Sequence, residues 1–103
     1  MDEQVLEHLL QILRRGHNRW WLSYSLWPLL TGEEQDHLRR VSGTARGKRG
    51  GHPDGPIRRI SLMLRRGVVR ERVARDYLDT RGMWVGDMEV SGDRTAIFRW
   101  IGA

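Results

Sequence analysis

Residues 56–78 read Pro56-Ile57-Arg58-Arg59-Ile60-Ser61-Leu62-Met63-Leu64-Arg65-Arg66-Gly67-Val68-Val69-Arg70-Glu71-Arg72-Val73-Ala74-Arg75-Asp76-Tyr77-Leu78. At 100° per residue, Ile57, Ile60, Met63 and Leu64 fall on one side of a helix over 56–66. Arg58, Arg59, Arg65 and Arg66 fall on the other side, with Leu62 among them and no acid. Pro56 suits the first helical position, and Gly67 marks the stop. Beyond it the spacing predicts a second helix from Val68 to about Thr80, ended by Gly82. Its buried arc is Val69, Val73, Ala74, Tyr77 and Leu78. Its outer arc carries Glu71, Arg72, Arg75, Asp76 and Asp79 in i,i+4 ion pairs, a lattice suited to water. Those acids repel phosphate, so this face reads as solvated surface.

Upstream, Val5, Leu6, Leu9, Leu10, Ile12 and Leu13 predict an amphipathic helix over 3–15, acidic at its start, basic at its end and closed by Gly16. The run Arg19 to Trp27 fits a strand, with Trp20, Leu22, Tyr24 and Leu26 on one face. It also fits a short helix capped by Asn18, with Trp20, Tyr24 and Trp27 in a stripe; the helix is the preferred reading. Thr31 and Glu34 form a capping box that starts a helix to about Val41, ended by Gly43. Residues 42–55 hold five glycines and almost nothing apolar, which predicts a flexible loop. Downstream, 83–90 and 94–101 are β-rich and joined by Ser91-Gly92-Asp93, a hairpin signal over 83–101.

The 103 residues suit a single domain over 1–103. With no Cys, disulfides and Cys-ligated metals are excluded. No apolar run approaches the ~20 residues that span a bilayer, and Asp2 and Glu3 replace a basic signal region. A membrane is therefore not an expected partner, and the location expected is cytoplasmic. The net charge is +5, and of the 18 basic residues only Lys48 is a lysine. Codon bias in a GC-rich genome gives such a composition without function, so placement matters more. Residues 42–82 carry a net +7 and the two flanks together −2. Four uncompensated guanidinium groups on one helix face, preceded by a loop with Arg46, Lys48 and Arg49, suit an anionic counterpart such as a polyphosphate backbone.

The order of helices, a helix–Gly–helix unit and a terminal hairpin resembles a winged helix-turn-helix domain. Within Ile57 to Leu78, Gly67 stands at the turn, Val68 just after it and Val73 in the second helix. The resemblance covers the pattern of residues 57–101. It departs at Met63, where the family has a small residue, and in the mixed charges of the second helix. It implies a major-groove helix and a wing that contacts backbone or minor groove, with Arg94 near the wing tip. The alternative docking lays the all-Arg helix at 56–66 against the nucleic acid.

The sequence thus predicts an α+β, mainly helical, winged-helix-like domain that binds nucleic acid, double-stranded DNA first, as a regulator or accessory factor. The expected contacts are Arg46, Lys48, Arg49, Arg58, Arg59, Arg65, Arg66 and Arg94. The competing reading is an adaptor or inhibitor, of phage or mobile-element type, docking on an acidic surface of a larger complex. A homodimer through the apolar N-terminal helix is a further expectation. Trp20, Trp21, Trp27, Trp84 and Trp100 read as core, with Trp20 or Trp21 as the exception. His8, His17, His37 and His52 lack metal-ligand spacing. Asp36-His37 and His52-Pro53-Asp54 suit a general base but come with no nucleophile or phosphate loop. No catalytic residue, metal or cofactor is therefore expected.

Overall fold

Helix α1 (Asp2–Arg15) places Val5, Leu6, Leu9, Leu10 and Leu13 inward, as its spacing requires, and all five are buried. The computed structural model describes residues 1–42 and 54–102. Gly16 follows α1 with φ −96°, which any residue adopts, so it is not a left-handed cap. What requires glycine there is Trp21: a Cβ would lie 2.9 Å from its indole Cζ2. The ambiguous run 19–27 divides between both readings. Trp21–Leu22 is a short strand, β1, and Ser23–Leu26 a helical turn, α2, running into a 3₁₀ turn over Trp27–Leu29. Asn18 does not cap it; it sits at φ 71°, and Leu22 occupies the N-cap.

Helix α3 (Gly32–Ser42) opens on the predicted capping box. Thr31 N donates to Glu34 Oε1 at 2.9 Å, and Glu34 N donates to Thr31 Oγ1 at 3.1 Å. Helix α4 spans Asp54–Val69, so it begins before Pro56 and passes through Gly67 rather than stopping there. Gly67 is helical, and its missing side chain makes room for Val73 and Leu10. Just beyond Val69 the helix closes in a Schellman geometry: Glu71 N donates to Val68 O, Arg72 N donates to Gly67 O, and Glu71 takes φ 60°.

The helix expected over 68–80 is therefore not formed. Val73–Asp79 is strand β2. It pairs antiparallel with β5 (Arg94–Trp100), with Val73 opposite Trp100 and Asp79 opposite Arg94. β1 pairs with the other edge of β5, giving the order β1-β5-β2. The hairpin over 83–101 is corrected in the same way: its second strand pairs back to β2. Residues 83–90 make their own two-residue rungs, β3 (Trp84–Val85) with β4 (Met88–Glu89), turning at Gly86 with φ 60°. Thr80 and Tyr24 hold this excursion to the body. Thr80 Oγ1 donates to Gly92 O at 3.0 Å, and Ser91 N donates to Tyr24 OH at 3.0 Å.

The protein is α+β, with four helices and a small antiparallel sheet among the described residues. One sheet face carries Trp21, Val73 and Phe98 onto the leucines of α1 and onto Ile57, Ile60, Met63 and Leu64 of α4. Of the tryptophans, Trp21 and Trp27 are buried, Trp100 is partly covered, and Trp20, one of the two expected exceptions, is exposed together with Trp84. Trp84 thus departs from the core reading: its neighbours Met83 and Val85 pack against the core, and strand alternation leaves Trp84 on the outer face of β3. No helix among the described residues is long and apolar enough to cross a membrane.

Candidate nucleic-acid interface

The arginines of α4 divide into two stripes about 100° apart, the angular step of one residue. Arg58 and Arg65 point away from the core with Leu62 and Val69, all four exposed. Neither guanidinium has an acidic partner among the described residues. Arg59 and Arg66 sit next to α1, and its acidic first turns meet them. Arg59 Nη2 donates to Asp2 Oδ2 at 2.6 Å, and Arg66 Nη1 donates to Glu3 Oε1 at 3.3 Å. Arg70 bridges Glu3 and Glu7, and Arg72 bridges Glu7. The four-arginine face is therefore two free cations and two neutralised ones, and the neutralising acids come from α1.

Asp2 is the centre of that neutralisation. His37 Nε2 lies 2.7 Å from its Oδ1, and Arg59 holds its other oxygen. The hydrogen bond to His37 first, and then that to Arg59, holds the Asp2 carboxyl below its ordinary value. His37 is thus occupied in a helix–helix bridge, and Asp36 pairs with Arg39 at 3.3 Å. His8 meets the buried Glu34 at 2.7 Å in a second link between α1 and α3. No group of three His, Cys, Asp or Glu side chains suited to a metal occurs among the described residues.

Of the remaining expected contacts, Arg46, Lys48, Arg49, His52 and Pro53 lie outside the described residues, as does most of the loop expected over 42–55. Arg94 begins β5, opposite Asp79, and its guanidinium lies 5.0 Å from the Tyr77 ring centroid. Arg75 approaches the same ring at 5.6 Å. Tyr77, Arg75 and Arg94 share the sheet face of Val73 but extend past the core, so Tyr77 is exposed between two cations. The helical reading of 68–80 had Tyr77 in a buried arc and missed this cluster. No alternation in β2 announces it; only once Val73–Asp79 is a strand does period two put Val73, Arg75, Tyr77 and Asp79 on one face.

The apolar stripe of α1 is consumed inside the molecule, with Leu6, Leu9 and Leu13 fully covered, so it offers no dimer surface. Asp79 is held low by Arg81, which donates from Nε and Nη2 to its two oxygens. The base of the β3–β4 excursion is therefore charge-balanced. Comparison with protein-family models, with curated proteins and with solved structures finds no match to this chain.

Proposed function

We propose that the protein is a cytoplasmic nucleic-acid-binding module, without enzymatic activity, whose partner is double-stranded DNA. The observation that carries the reading is the exposed stripe of α4, where Arg58 and Arg65 stand without acidic partners among the described residues, beside a chain segment rich in Arg and Gly. Guanidinium groups in this position exchange solvent counterions for phosphates. In a winged-helix reading, α4 takes the major-groove position, because it is the helix directly before the β2–β5 hairpin. Tyr77, flanked by Arg75 and Arg94, supplies a second contact on that hairpin.

Fluorescence anisotropy of a labelled random duplex across a salt series tests this. Binding should weaken steeply with salt, and Arg58→Ala/Arg65→Ala should flatten the log–log slope by about 1.8, at roughly 0.9 per phosphate contact. A folded wild-type protein that binds no duplex at low salt overturns the reading. One observation favours a second one: Leu62 is exposed between the two free arginines, and Arg59 and Arg66 are already spent. A mixed apolar and cationic stripe suits an acidic protein surface, and binding to such a partner should weaken with salt less steeply than binding to a duplex, which also releases condensed counterions.

A further inference from the structure

The end of α1 and the last strand border an open cleft that none of the nucleic-acid contacts uses. Arg14, His17 and Asn18 form one wall, Arg99 and Trp100 the other, around a volume of about 500 Å³. No carboxylate lines it among the described residues. Arg14 and Arg99 have no ion-pair partner among those residues; instead the Arg14 guanidinium lies 5.9 Å from the Trp100 ring and that of Arg99 lies 4.9 Å from Trp20. Stacking on indole holds a guanidinium's plane while leaving its N–H edge free for an acceptor. One acid, Glu7, lines an adjoining hollow and is already bridged by Arg70 and Arg72. The floor is fixed, because Ile101 N and Gly102 N both donate to Arg72 O, at 2.8 and 3.1 Å.

We infer that this cleft binds a small phosphate-bearing molecule. Its phosphate lies between the guanidinium edges of Arg14 and Arg99, with His17 and Asn18 as further donors, and its organic part lies against the Trp100 indole. Arg14 lies on the Trp100 side of β5 and Arg99 on the opposite side, and both line the cleft at the strand's edge; two guanidinium groups bracketing one space suit a tetrahedral oxyanion. The cleft is larger than a bare phosphate requires, and its remaining wall is aromatic. This site is independent of the α4 stripe, so either can fail without the other.

Isothermal titration at low salt with AMP, adenosine and inorganic phosphate tests the inference, with circular dichroism confirming that each variant is folded. AMP should bind and adenosine should not. Arg14→Gln/Arg99→Gln should weaken AMP by about tenfold or more, as expected for losing two charge-assisted contacts. Arg58→Gln/Arg65→Gln should leave it within about twofold, since those residues lie outside the cleft. Inorganic phosphate binding more weakly than AMP shows that the organic part is held as well, and equal binding overturns the Trp100 contact. No AMP binding, or AMP binding that the cleft variant leaves intact, overturns the site. Equal loss of duplex binding in both double variants would assign the cleft to the nucleic-acid surface and overturn the small-molecule assignment.

Discussion

Gly67→Ala separates two reasons for a glycine late in a helix. Gly67 is helical and buried, so on propensity alone alanine should stabilise α4 by about 1 kcal/mol. The added Cβ, however, would lie 2.7 Å from Val73 Cγ2 and 3.2 Å from Leu10 Cδ2. Leu10 ends in a flexible tip and can give way. Val73 is β-branched, buried and locked into the sheet opposite Trp100. Overpacking of this kind costs about 1–3 kcal/mol, so the net effect should be a loss of up to about 2 kcal/mol. Val73→Ala alone removes two buried methyl groups and should cost about 2 kcal/mol. Adding Gly67→Ala to that variant then meets only the Cβ left at position 73, 3.4 Å away and in ordinary contact, and should gain about 0.5–1 kcal/mol from propensity. The substitution thus changes sign with its neighbour, a coupling of up to about 3 kcal/mol. Urea unfolding followed by circular dichroism, with m unchanged, reads all four corners of the cycle. A stabilising Gly67→Ala in the wild-type background would refute the close approach of α4 to β2. A loss that persists undiminished in the Val73→Ala background would show that the backbone, not space, requires the glycine.

Three further outcomes follow from named contacts. Glu71 holds a left-handed φ of 60° at the end of α4, where a side chain is strained, so Glu71→Gly should stabilise by about 1 kcal/mol in the same urea assay. Thr31→Ala removes the acceptor for Glu34 N and should cost about 1 kcal/mol, visible as a lowered melting temperature. Asp2, with its folded-state value below the ordinary 3.8, adds stability that is complete above that value and is lost as pH falls through the folded one. The urea midpoints of wild type and Asp2→Asn should therefore differ fully near neutrality and converge below pH 3.8.

The elements that sequence alone makes legible are those whose information is local. The apolar stripe of α1, the Thr31–Glu34 box of α3 and the apolar face of α4 each fix a helix by spacing of a few residues. The end of α4 was not legible, because the left-handed cap falls on Glu71 while a glycine stands earlier for packing reasons. β2 was illegible for a different cause. Its only buried side chain is Val73, so no alternation shows, and its Arg, Asp and Glu neighbours satisfy helical ion-pair spacing equally well. What makes it a strand is β5, far along the chain from Val73, and such pairing overrides local propensity. The Arg face was legible as a face. Its partial neutralisation was not, since Asp2 and Glu3 reach it from the opposite end of the chain.

That neutralisation follows from the spacing of the two Arg-Arg doublets. Residues seven apart on an α-helix fall within about 20° of each other, so Arg58 aligns with Arg65 and Arg59 with Arg66. Packing α1 beside one stripe therefore engages the same member of each doublet and leaves the same member free. The consequence is quantitative. If the Asp2 and Glu3 bridges hold in the complex, removing all four arginines should flatten the duplex-binding salt slope no further than removing Arg58 and Arg65, about 1.8 in each case. If the bridges open on binding, the fourfold variant should lose about 3.6, and duplex binding by the wild type should then strengthen when Asp2 and Glu3 are replaced by Asn and Gln. Equal slopes for the two variants would place the contact on one stripe of α4 and make the acidic end of α1 the element that restricts it to that stripe.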